Sequence, residues 1–262
     1  MRQLTNLGWA DTPFGPSTRP VQRTTLYLGA MAMLWGDDGG DPVIMGASLV
    51  VLPVHRTRSR PVSVGLVNFG YRVMLPEEPG DNEQILTEID NILVQGRRDA
   101  QVIAWHGGGD DLHVLRQLPR PEGAARAAGV NSVAEAWTDR SVRARGIVRF
   151  IDTAHDLEPF GLISHTAKEH GLVALPEFAG GREQAAAQAA CEELLLGGLE
   201  DGTAESMAAS VLCSAFTTAL LGGKAAERLH WDGELIIRDA VAAVAWDIAP
   251  SVFNRTPEAS SR

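Results

Sequence analysis

Residues 101–115 constrain the fold more than any other stretch. Gln101 to Trp105 is a short apolar run, His106-Gly107-Gly108-Gly109-Asp110-Asp111 follows at once, and Leu112, Leu115 and Leu118 then recur at helical spacing. A strand that turns through glycines into a helix is half of an α/β crossover, so the chain is expected to build a sheet with helices on its faces. The clearest helix stands just before it. Asp81 is the expected cap, with Gln84 as its capping-box partner. Ile85, Leu86, Ile89, Ile92 and Leu93 form the apolar stripe, and Gly96 is the expected stop.

Upstream, strands are expected over Thr25–Met33, Val43–Met45, Ala47–Leu52, Val62–Leu66 and Tyr71–Leu75, with a turn at Gly36–Asp41. Downstream, residues 119–146 read as a loop with one short helix, and Gly146–Asp152 as a strand. Helices are expected over about 160–170, 183–197, 203–221 and 234–247. Residues 1–23 read as an extended N-terminal arm, 24–249 as the domain and 250–262 as a flexible tail. The fold class is therefore α/β, a mixed sheet with flanking helices and a helical C-terminal part.

The 262 residues are 45% hydrophobic, enough for a full core, and carry a formal net charge of −10. Long nucleic acid is gripped non-specifically through phosphate neutralisation, so an extended basic groove is disfavoured while a local basic patch is not. Cys191 and Cys213 show no zinc spacing and are expected as buried thiols. No leader core or membrane-length run is apparent, which makes a cytoplasmic protein without membrane attachment the expectation.

The stretch Val102–Leu115 resembles the second motif of DEDD-type 3′–5′ exonucleases of the ribonuclease H-like superfamily. It is most similar to the bacterial group related to the proofreading domain of family B DNA polymerases. There the pattern is an apolar strand, then Asn-Gly-x-Gly-Phe-Asp, then a helix. Asp111 falls on the motif's aspartate, His106 on its asparagine and Asp110 on its phenylalanine. Leu52–Arg56 followed by Val62–Leu66 resembles the second strand and its approach. Phe150–Ala154 resembles the strand after the motif, and Ser206–Leu221 the third-motif helix. The resemblance spans roughly residues 24–221 and implies a ribonuclease H-like fold, with the first strand lying centrally beside the strand that ends at Trp105.

Four carboxylates holding two divalent metals carry out DEDD chemistry. Strand one should bear Asp-x-Glu, but Gly29 and Met31 stand there, and no Asp or Glu occurs from residue 12 to 36. The third motif should read Tyr-x-x-x-Asp, but Ser206 and Ser210 stand there. By the resemblance, Asp111 is the surviving catalytic position with Asp110 beside it. His106, Gly107, Gly108, Gly109 and His113 are candidate substrate-binding residues, and Asp111 and Asp152 candidate ligands for Mg2+ or Mn2+ if the site is active.

Each of these has a plainer reading. The glycines can be a loop with Asp110 or Asp111 as helix N-cap. Asp152, His155 and Asp156 can end a strand in a solvated turn. His165 and His170 suit a helix surface. Arg56, Arg58 and Arg60 can meet phosphates or simply guard a strand edge. Trp105, Trp231 and Trp246 are expected in the core. Three functions follow. The first is an exonuclease-fold protein without catalysis, acting as a binding or assembly module beside single-stranded nucleic acid or a partner protein. The second is an active metal-dependent exonuclease using Asp110, Asp111 and Asp152. The third is an unrelated α/β protein, which would not need a central first strand.

Overall fold

Two glycines set up the longest pair of strands. The computed structural model describes residues 1–7, 24–63, 67–119, 127–139, 148–173 and 182–248. After β1 (Arg2–Thr5), β2 (Thr25–Asp38) and β3 (Asp41–His55) form one long hairpin around Gly39-Gly40. These glycines take φ of 64° and 105°, values that a two-residue hairpin turn requires and that a β-carbon resists. Where two short strands are expected over 43–52, one strand of 15 residues runs through. A register shift between Leu34 and Trp35 absorbs the break in alternation, so Ile44 and Ala47 share one face.

The chain continues through β4 (Arg60–Pro61), β5 (Gly70–Leu75), α1 (Asn82–Asp99), β6 (Val102–Trp105), α2 (Gly108–Gln117), α3 (Ala128–Thr138) and β7 (Arg149–Asp152). Then come α4 (Ile163–Glu169), β8 (Leu172–Val173), α5 (Arg182–Leu196), α6 (Asp201–Ala225), β9 (Leu229–His230), β10 (Leu235–Ile236) and α7 (Ile237–Ala242). The main sheet has the order β1-β5-β3-β2-β6-β7. The first four neighbours in that order are antiparallel, while β6 and β7 run parallel to β2. The protein is thus mixed α/β, and the first long strand lies in the middle of its sheet.

Strand alternation splits the core into two layers. Met31, with Tyr27, Met33 and Trp35 beside it, faces the apolar stripes of α1, α2 and α3. Leu28, Ala30, Ala32 and Leu34 face α4, α5, α6 and α7. Among the described residues α6 alone is long and apolar enough to cross a membrane, and 89% of its apolar window is buried inside the molecule. It is the central packing helix of its layer.

Several expectations are corrected by local chemistry. Arg2–Thr5, read as part of an aperiodic arm, adds an edge strand to β5. Beyond it the Asn6 side chain continues the ladder, accepting from Tyr71 N at 2.8 Å and donating to Phe69 O at 3.0 Å. Asp81 stands at the N-cap of α1 as expected, but its side chain makes no capping hydrogen bond to that helix. Its Oδ2 accepts the backbone N–H groups of Glu77 and Glu78 at 2.8 and 3.0 Å, in the turn ahead of the helix. Gly96 does not end α1, because it is buried against the sheet and the helix runs on to Asp99. Val62 and Ser63 are not strand, and 64–66 lie outside the described residues. So do residues 8–23 of the expected arm and the whole expected tail. The 234–247 helix is reduced to α7, because Leu235–Ile236 pair with β8 instead. Cys191 and Cys213 are buried thiols, as their segments imply.

Candidate functional site

Parallel pairing brings the ends of β6 and β7 to one level beside the middle of β2. Met31 of β2 lies opposite Trp105 of β6, and Trp105 opposite Asp152 of β7. Ligands of open α/β sheets are received beyond such carboxyl ends. Here β6 passes into α2 through Gly107, whose φ of 69° makes it the left-handed N-cap of the helix. Gly108 follows with no room for a side chain, since a β-carbon would lie 2.7 Å from both Trp105 Cβ and Trp137 Cζ2. The first two glycines of the run are therefore demanded by backbone conformation and by indole packing. Gly109 is exposed and faces no such restriction.

Asp111 lies in the first turn of α2, where neither it nor Asp110 is the N-cap. Its Oδ1 accepts the indole N–H of Trp35 at 2.7 Å, and its Oδ2 accepts that of Trp105 at 2.7 Å. Burial pushes the carboxyl up to about 6, reinforced by the negative charges of Asp110 and Asp152 and opposed by the two indole hydrogen bonds. The cluster extends sideways through rings. Trp105 meets Trp137 edge to face at 6.3 Å, and Trp137 meets Phe150 at 5.7 Å.

Asp152 is buried at the end of β7. Its Oδ1 accepts the backbone N–H of Gly107 and of Ala154, each at 3.0 Å, and its Oδ2 faces Trp137 Nε1 at 3.4 Å. One carboxylate thereby ties the glycine loop, the turn after β7 and α3 together. Its own N–H donates to Asp156 Oδ2 at 2.8 Å. His106 Nδ1 lies 3.0 Å from Thr153 Oγ1. Burial pushes its imidazole down, which favours the neutral ring, against the opposing pull of Asp152.

The structure brings together Asp111, Asp152, His106 and Gly107, and leaves other candidates outside. Asp110 is exposed on the first turn of α2. His113 is exposed and pairs with Gln117 one turn on at 2.9 Å. His155 and Asp156 are exposed beyond β7, as a solvated turn requires. Ser206 and Ser210 belong to α6, in the layer on the other side of the sheet from α2. Gly29 and Met31 face α1. With Leu49, Ile92, Leu93, Gly96 and Ile103 they line an apolar void of about 10 Å³. A carboxylate at either position would be buried among aliphatic groups.

The residue of β2 that does reach Asp111 is Trp35, four places beyond Met31. Neither Trp35 nor Trp137 stands out in the sequence, because each lies far along the chain from the partner that gives it a role. Trp105 and Trp231 are buried as expected, whereas Trp246 is 79% exposed.

Divalent magnesium or manganese needs several hard oxygens free to converge. Both oxygens of Asp111 and both of Asp152 already receive N–H donors, and among the described residues no three His, Cys, Asp or Glu side chains form a metal-holding group. This donor set does not fit a two-metal centre. What the arrangement does chemically is lock a strand-loop-helix junction through shared carboxylates. Comparison with known protein families, curated proteins and solved structures finds no match to this chain.

Proposed function

We propose that the chain has a ribonuclease H-like exonuclease core whose carboxylate site is given over to packing, and that it serves as a non-catalytic binding or assembly module in nucleic-acid metabolism. The fold half of this reading draws support from the central place of β2 beside β6, which the family resemblance requires and an unrelated α/β chain does not. The functional half rests on one observation. Asp111, the single aspartate left in its motif, holds two indole N–H groups at 2.7 Å. Its carboxylate is thereby satisfied as an internal acceptor, and the strand positions that should supply two more face aliphatic side chains of α1.

The decisive experiment incubates the purified protein with 5′-labelled single-stranded DNA and RNA in magnesium or manganese and resolves the products by length. The expected result is no shortening of either substrate. Degradation that disappears in Asp111→Ala, while the circular dichroism spectrum is retained, would overturn the proposal in favour of an active exonuclease built on Asp110, Asp111 and Asp152.

A further inference from the structure

The opposite end of the same sheet gathers cations. At the start of β2, Thr25 pairs with His55 at the end of β3, and Arg56 N donates to Thr24 O at 2.8 Å. The chain then turns through Arg56, Arg58 and Arg60, all exposed. Pairing of β4 with β9 carries this turn onto the segment after α6. Arg60 N donates to Arg228 O at 2.8 Å, Val62 N to His230 O at 2.9 Å, and Ser59 Oγ lies 2.8 Å from His230 Nδ1. Arg149, exposed at the first residue of β7, reaches the same segment by donating to Ala225 O at 3.3 Å.

Arg58, Arg60 and Arg149, all exposed, and Arg228, half-buried with its Nε enclosed, therefore border one surface. Among the described residues none of the four is in an ion pair, whereas Arg2, Arg72 and Arg98 each are. Glu227 is the one acid in residues 53–63 and 225–231. Three exposed guanidinium groups and one half-buried one make this end a local basic patch on a chain of net charge −10. Guanidinium forks suit the paired oxygens of phosphodiesters.

We propose that this surface, at the end of the sheet remote from Asp111, binds the phosphate backbone of single-stranded nucleic acid. A flexible strand can touch a small basic patch and bend away, while a stiff duplex would be forced along the acidic body of the molecule. An anionic membrane fits less well, because among the described residues none of the exposed large apolar side chains (Val94, Phe160, Leu162, Leu195, Leu196, Ile236 and Trp246) is one of those named for this patch. The inference goes beyond the proposed function, for it concerns a different end of the sheet and holds whether or not the Asp111 end cleaves anything.

The test is fluorescence anisotropy with a fluorescein-labelled oligothymidylate and an oligouridylate, titrated at low salt and again over a series of potassium chloride concentrations. Binding is expected at low salt, with log affinity falling against log salt at a slope of about −3 for four phosphate contacts. Arg58→Glu should weaken binding at least about tenfold, because the residue is exposed within the patch and its side chain makes no hydrogen bond among the described residues. Arg116→Glu, the same charge change on the exposed face of α2, should shift affinity less than about twofold. The proposal is overturned by no binding at low salt, by equal effects of the two variants, or by sedimentation with phosphatidylserine vesicles in place of oligonucleotide binding. The nuclease assay reads the other end separately, so the two readings fail independently.

Discussion

Asp111 concentrates the local energetics. Removing its side chain leaves the indole N–H groups of Trp35 and Trp105 without an acceptor in a partly buried cluster. Each such orphan costs about 1–3 kcal/mol, so Asp111→Ala should lose about 2–4 kcal/mol, read as a lower urea midpoint at unchanged m-value. The pH dependence has a definite sign. The carboxyl is pushed from 3.8 to about 6 in the fold. Between those values the folded chain keeps a proton that the unfolded chain has released. This contribution to stability is fully present below about pH 4, is lost as pH rises towards 6, and is flat above. Its ceiling is about 3 kcal/mol. Tryptophan fluorescence should titrate with a midpoint near pH 6, and Asp111→Asn should abolish that transition; a wild-type titration with no inflection between pH 4 and 8 would contradict the burial of this group.

At the scale of elements, the β6–α2 junction and the edge strand carry separable predictions. Gly107→Ala forces a β-carbon into the left-handed region and should cost about 1–2 kcal/mol. Gly108→Ala places its new carbon 2.7 Å from Trp105 Cβ and from the Trp137 ring, and overpacking of this kind costs about 1–3 kcal/mol. The second variant should also disturb near-ultraviolet dichroism, since Trp105 and Trp137 must move, whereas the first should leave it intact. Asn6→Ala removes two hydrogen bonds that prolong β1. Hydrogen exchange should accelerate at Arg2–Thr5 and at Tyr71 while the β2–β3 hairpin stays protected.

The whole molecule is joined by α6, which packs against β2, β3, β5 and β6 together. Phe216 on that helix is fully buried and stacks on Phe69 with ring centroids 4.5 Å apart. Phe216→Ala should cost about 3–5 kcal/mol and lower the single thermal transition of the entire domain, not detach one part; two separated transitions in calorimetry would contradict this. Periodicity by itself determined that α1, β6, α2 and α6 exist and which faces of α1 and α2 are apolar, because spacing at 3.6 residues is a local property of the chain. The absence of Asp and Glu from residues 12–36 was legible too, since a strand segment without either cannot supply a carboxylate. Only the tertiary structure decided what became of the rest. Asp111 is an acceptor for Trp35 and Trp105, Asp152 ties a loop to α3, and Arg58 and Arg149 share a surface. Each of these pairings joins residues distant in the chain or turned towards one another by the fold. Such contacts follow from strand order and register, which no stretch of sequence specifies locally.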